Sequence, residues 1–207
     1  MEEYERLLEK AFSSESPLPF SNKSALHARV VMKLIIKYAT KDVCLYSSEL
    51  KSSYPEEGFS EDVEVYAWGE LAGAVESFIK NPSARLRIKV KSPKPAEEVL
   101  TKNLIVGLSE EYPEQIQIEW NKPSDMKDFM VSDFGAFRFE FDKHRATACA
   151  KNEDVASKLT EVFELQDEKY FSKKSIIQKS MKLRNKLMAY QQTGMRICWL
   201  SLNSCRR

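Results

Sequence analysis

Apolar side chains recur at helical spacing along some stretches of this chain and alternate with polar ones along others, and the two patterns take turns. Tyr4, Leu7, Leu8 and Ala11 share one face of a helix predicted over residues 2–12, which Pro17 and Pro19 end in an extended link. Leu26, Val30, Val31, Leu34, Ile35 and Tyr38 predict a second helix, capped by Asn22 or Ser24. Residues 43–47 follow as a short buried strand. A polar loop with Pro55 and Gly58 leads to a helix predicted over 63–80, with Val65, Trp68, Leu71, Ala72, Val75, Phe78 and Ile79 inward and Asn81-Pro82 as its stop. Leu86, Ile88 and Val90 then alternate with Arg85, Arg87, Lys89 and Lys91, which reads as a half-buried strand with a basic outer face. Residues 96–110 predict a further helix. Ile116, Ile118 and Trp120 alternate as a strand. Residues 129–131 and 136–141 predict two strands joined by an Asp133-Phe134-Gly135 turn, and 146–150 another short strand. A helix with Val155, Leu159, Val162 and Phe163 inward closes the pattern, capped by Asn152 or Asp154.

Strand–helix alternation of this kind implies right-handed βαβ crossovers. The expected fold class is α/β, a mainly parallel sheet with helices on both faces and an antiparallel hairpin near its end. At 207 residues the chain fits one domain with an appendage. The expected divisions are an N-terminal helix and linker over 1–20, an α/β domain over 21–170, and a tail over 171–207.

Composition narrows the function classes. Six glycines argue against a glycine-rich phosphate loop. No apolar run approaches the ~20 residues of a membrane span. The acidic N-terminus has no apolar signal core, which argues against secretion. Cys44, Cys149, Cys198 and Cys205 show no CxxC spacing, so neither a zinc site nor a disulfide framework is expected, and the cytoplasm is the expected compartment. No cofactor is expected.

Charge changes the picture more. Of 32 basic and 31 acidic residues, ten basic and no acidic ones fall between 169 and 207, which leaves 22 against 31 in the body. In the tail, Ile177, Met181, Arg184 and Met188 fall on one side of a helix, among Lys173, Lys174, Lys179, Lys182 and Lys186. Three occupations compete for it: docking on the acidic body or on a second copy, binding nucleic acid, and lying on an anionic membrane surface.

The element order, with Asp42-Val-Cys-Leu-Tyr-Ser-Ser48, the basic strand 84–90, Asp128-Phe-Met-Val-Ser-Asp133, Phe137-Arg-Phe-Glu140 and Ala148-Cys-Ala-Lys-Asn152, resembles one half of the phospholipase D superfamily, in its small single-copy bacterial form. The resemblance spans roughly 25–170. It implies a phosphodiester-processing fold whose chemistry rests on His-x-Lys-x-x-x-x-Asp. If Asp133 holds the Asp position, Met126 stands at the His and Asp128 at the Lys. Methionine carries no proton and aspartate repels phosphate, so the resemblance implies the fold without the activity. It also implies a bacterial multi-protein or mobile-element, defence-type setting for a binding or regulatory domain. The alternatives are a phosphodiesterase or nuclease with an atypical site, and a nucleic-acid-binding module.

Candidate residues follow from these readings. No complete catalytic set is present; an atypical nuclease would use His144 with Asp128 and Asp133. Asp125, Asp128 and Asp133 form an acidic cluster of the type that holds Mg²⁺, although turn chemistry accounts for it too, and no metal is expected. Ser47, Ser48 and Glu49 follow a strand end, where ligands of α/β sheets bind. A nucleic-acid or partner surface would use Arg85, Arg87, Lys89, Lys173, Lys174, Lys179, Lys182, Arg184 and Lys186. Self-association or a protein partner is expected.

Overall fold

The computed structural model describes residues 1–165 apart from 23, 55–59, 123–125 and 143–144, together with residue 185. Helix α1 (Glu2–Ser13) buries Leu8 and Phe12, and strand β1 (Pro19–Asn22) follows it. Ser24 starts α2 (Ala25–Tyr38): its backbone is extended and its hydroxyl accepts from His27 N at 3.1 Å, which satisfies one of the orphan N–H groups of the first turn. Then come β2 (Asp42–Ser47), the two-residue strands β3 (Ser53–Tyr54) and β4 (Val63–Glu64), and α3 (Gly69–Ile79). Next are β5 (Arg85–Val90), α4 (Glu97–Leu100), α5 (Leu104–Glu111) and β6 (Ile116–Glu119). The chain continues through β7 (Phe129–Ser132), β8 (Phe137–Asp142), β9 (Arg145–Cys149) and α6 (Glu153–Leu165). Asn152 caps α6, its side chain accepting from Val155 N at 3.1 Å.

Seven strands form one sheet in the order β1-β9-β8-β7-β2-β5-β6. The fold is α/β, but the sheet is mixed. Only β2–β5 and β5–β6 pair parallel, and β2–β7, β7–β8, β8–β9 and β9–β1 are antiparallel. The expectation of a mainly parallel sheet is corrected for a physical reason. Helical crossovers link β2 to β5 and β5 to β6, which makes those pairs parallel; after β6 the chain returns along the sheet end and continues in hairpins. The Pro17–Pro19 segment, read as an extended link, ends in the edge strand β1. Proline is tolerated there as a first, edge residue.

Two helix predictions also change. The helix expected over 63–80 starts only at Gly69, because Val63 and Glu64 pair with Tyr54 and Ser53. The helix expected over 96–110 is interrupted at Asn103. That buried side chain accepts from Ile105 N and Val106 N, each at 3.1 Å, and donates to Leu50 O at 2.9 Å, restarting the helix as α5.

Strand alternation separates two cores. Val43, Leu45, Leu86, Ile88, Val90 and Met130 face the side packed by α1, α2, α3 and α5. Cys44, Tyr46, Phe129, Val131, Phe137 and Phe139 face α6, which brings Val155, Leu159, Val162 and Phe163. Each fully buried aromatic of this second layer contributes roughly 1.5–3 kcal/mol. Gly135 closes the β7–β8 hairpin at φ +92°, where a Cβ would also lie 3.2 Å from Glu153 Cγ.

Candidate functional site

Ligands of open α/β sheets gather at the C-terminal ends of the parallel strands, where the strand order switches. Here that point is the end of β2, flanked by β5 on one side and by β7 on the other. The chain leaving β6 crosses it: Asn121 N donates to Ser92 O at 3.0 Å, Lys122 N to Val90 O at 2.9 Å, and Tyr46 Oη to Lys122 O at 3.2 Å.

The protein's own side chains occupy the place. Asp128 accepts from Ser48 N at 2.9 Å, from Ser48 Oγ at 2.5 Å and from Ser47 Oγ at 3.3 Å. Tyr66 is buried against Ser47. Burial pushes its phenol well above the ordinary tyrosine range; the Ser47 hydroxyl opposes that, and the Asp128 carboxylate adds to it. Tyr54 Oη donates to Glu49 O at 2.9 Å, and burial raises its phenol too, with Tyr66 as the next cause. Met126, at the position that the resemblance gives to a nucleophilic histidine, is 5% exposed and packs in the α6-side core.

Asp133 stands apart from this end. It accepts from Thr40 N at 3.0 Å, from Lys41 N at 2.9 Å and from the Thr40 hydroxyl, all at the start of β2. Asp128 and Asp133 therefore bracket β7 and do not converge. Asp125 and His144 lie outside the described residues. So do Lys173, Lys174, Lys179, Lys182, Arg184 and Lys186, and the tail helix with them. Among the described residues, no group of three or more His, Cys, Asp or Glu side chains is placed to hold a metal ion. No described helix is long and apolar enough to cross a membrane.

The basic strand is not an outer face. Arg85, Arg87 and Lys89 point toward the α6 side, and Lys89 is 1% exposed. Its ammonium donates to Phe163 O at 2.7 Å and sits 4.2 Å from the Phe163 ring. Arg87 pairs with Glu164 at 2.5 Å, donates to Cys44 Sγ at 3.2 Å and lies 5.5 Å over the same ring. These cations meet the last turn of α6, where exposed carbonyls favour positive charge. Burial pushes the Cys44 thiol up to about 12, with Arg87 opposing, so it stays protonated and is no nucleophile. Arg85 donates to Pro82 O at 3.1 Å and Ala84 O at 2.8 Å. The expectation that Lys89 contacts a phosphate or a partner is corrected: a buried ammonium held by a carbonyl is out of reach.

One polar group escaped the sequence reading. Arg138 Nε donates to Asn22 Oδ1 at 2.8 Å and its Nη2 to Glu140 at 2.9 Å. Tyr4 lies beside them, its phenol pushed up to about 12 by burial against the pull of Asn22 and Arg138. The signal was the alternation of Arg138 and Glu140 with Phe137, Phe139 and Phe141. In a sheet covered on both faces, such charges must point inward and find partners.

No family model matches the chain, and no curated protein does. Among solved structures it is similar to TrmBL2, an archaeal chromatin protein whose structure shows a novel mode of DNA binding, at 13% identity and a TM-score of 0.50, covering 83% of this chain and 60% of that one. It is also aligned with phosphatidylserine synthase from Haemophilus influenzae Rd KW20, at 11% identity and a TM-score of 0.45, covering 89% of this chain and 47% of that one. The likeness to TrmBL2 is one of fold. The chain spans half to three fifths of the length of these proteins.

Proposed function

We propose that this chain is a non-catalytic, phospholipase-D-like domain that works by binding, as a regulatory part of a bacterial multi-protein or mobile-element system. The observation that carries the reading is the use made of Asp128. At the position where the resemblance expects a phosphate-holding lysine stands a carboxylate, and its oxygens are taken up by Ser47 and Ser48 of the neighbouring strand end. Buried Met126 in the histidine position supports the same conclusion. An arriving phosphodiester would meet a negative charge at Asp128 and a thioether in place of an imidazole at Met126.

The partner contacts belong, on this reading, to the basic tail. Its nine cations without a single acid favour a polyanion, and nucleic acid is the polyanion that a cytoplasmic protein meets most often. Arg85 on the body and Lys173, Lys174, Lys179, Lys182, Arg184 and Lys186 in the tail are the proposed contacts. The purified full chain is expected to turn over no generic phosphodiester or DNA, with or without Mg²⁺, and to bind DNA with an affinity that falls steeply as salt rises. Turnover abolished by His144→Ala would replace this reading with an atypical nuclease. Equal DNA binding by a chain ending at residue 170 would remove the tail from the site.

A further inference from the structure

Strand β6 ends the sheet: β5 lies on one side of it, and no described strand on the other. Leu86 faces Ile116, and Leu86 N donates to Gln115 O at 2.7 Å. A parallel ladder assigns alternate residues of a strand to one neighbour. The main chain of Gln117 and Glu119 therefore serves β5, while Ile118 and Trp120 present theirs outward. Ile116 adds its carbonyl only, since its N–H donates to Tyr112 O at 2.9 Å. Asn121, at φ 58°, and Lys122 both donate their N–H groups to carbonyls at and just past the end of β5, Ser92 O and Val90 O, a bulge that ends the regular edge at Trp120. Ile118 and Trp120 are half-buried, and Leu104 and Tyr112, on α5 and just after it, are 40% and 37% exposed. This edge combines main-chain groups that pair with no strand among the described residues with apolar side chains, the combination that sheets elsewhere protect against.

We infer that β6 is a self-association edge, with two copies pairing antiparallel about a twofold axis at Ile118. Outward groups must meet outward groups, which leaves registers that differ by two residues. With Ile118 opposite Ile118 of the second copy, Trp120 faces Ile116 and Gln117 faces Glu119. Apolar side chains then run along one face of the seam, and Glu119 meets the neutral Gln117 on the other. A shift one way sets Glu119 against Glu119, which repels. A shift the other way sets Glu114 against Trp120. The favoured register makes four hydrogen bonds: each Ile118 N–H to the other Ile118 carbonyl, and each Trp120 N–H to the other Ile116 carbonyl. The self-complementarity of the segment selects a second copy over an unrelated peptide, and such isologous contacts close without leading to a filament. The pairing is independent of what the tail binds.

Sedimentation of the full chain over a concentration series is expected to show a dimer, which Ile118→Lys weakens about tenfold or more by placing like charges on the axis. Register is read by cross-linking. Across this seam residues 117 and 119 form a non-hydrogen-bonded pair with Cα atoms about 4.5 Å apart, within disulfide reach. In a chain carrying Cys198→Ser and Cys205→Ser, Gln117→Cys mixed with Glu119→Cys is expected to cross-link faster than either variant alone. The cysteine pair decides the matter if Ile118→Lys does not fold. A monomer at every concentration overturns the inference. So does a dimer whose mixed cysteine pair gains no advantage.

Discussion

Asp128 and Asp133 flank one short strand and grip opposite ends of its neighbour, yet only one of them sits where a functional residue is looked for. Asp128, ahead of β7, holds Ser47 and Ser48 at the end of β2; Asp133, behind β7, holds Thr40 and Lys41 at the start of β2. Tyr54 and buried Tyr66 lie near the end held by Asp128, and Asp128 itself is half-buried. Asp133 is exposed. The twin at the far end shows what the first carboxylate does: each fastens backbone N–H and hydroxyl groups where a strand has run out of ladder partners. Position at a switch point made Asp128 look like chemistry, and the matched Asp133 identifies the shared job as stapling.

That comparison can be broken by mutation. Asp128→Ala is expected to cost about 2–3 kcal/mol in urea unfolding, since a half-buried carboxylate that accepts from both the Ser48 N–H and the Ser48 hydroxyl is lost, while the Ser47 hydroxyl keeps Glu49 O. Asp133→Ala, at the exposed end, is expected to cost about 1–2 kcal/mol, because water replaces the lost carboxylate. No cost, or a gain of stability, at Asp128 would separate the pair and return Asp128 to the functional candidates.

The smallest effect at neutral pH separates the ends most sharply as pH rises. The phenols of Tyr66 and Tyr54 are raised well above the ordinary tyrosine range by burial, and that of Tyr4 is raised to about 12. A raised folded value stabilises the protonated form. The contribution of these phenols is thus fully present below the unfolded tyrosine value of about 10 and is lost as pH rises through the folded values. Stability is expected to fall above pH about 10, measured by urea midpoint against pH. Tyr66→Phe should flatten that fall while changing the neutral midpoint by less than about 1 kcal/mol. An unchanged alkaline slope would mean that Tyr66 is not sealed beneath Ser47.

Periodicity made most elements legible because their buried faces are long. α2, α6 and the Phe137–Phe141 alternation appear as read, and Ser24 and Asn152 cap where hydroxyl and amide chemistry said they would. What stayed hidden is pairing between distant segments. Nothing near Pro19 reveals that residue 149 faces it, and without that partner β1 reads as a link. The parallel share of the sheet was overstated because strand direction depends on the connection after β6, where the described residues form no helical crossover. The misreading of Lys89 has the same origin. Alternation shows that one face of β5 is basic, but not that the Phe163 carbonyl and ring come to cover it. Asn103 offered a local clue, a strong capping residue in the middle of a helical pattern, that was outweighed by the apolar positions around it.

The pairing of β1 with β9, which sets Pro19 opposite Cys149 and Asn22 opposite Ala146, bears on how the protein is made. A ribosome delivers the first strand long before the last, so the nascent N-terminal segment waits for its partner through the emergence of almost every other element. Helices α1 and α2 can form early from local contacts, but β1 gains its ladder only when β9 has cleared the exit tunnel. Closure across so long a loop is slow relative to local folding. In the interval the outer side of β8 and the whole of β1 are open to other chains, which places the hazard of misassembly at the closing of this seam.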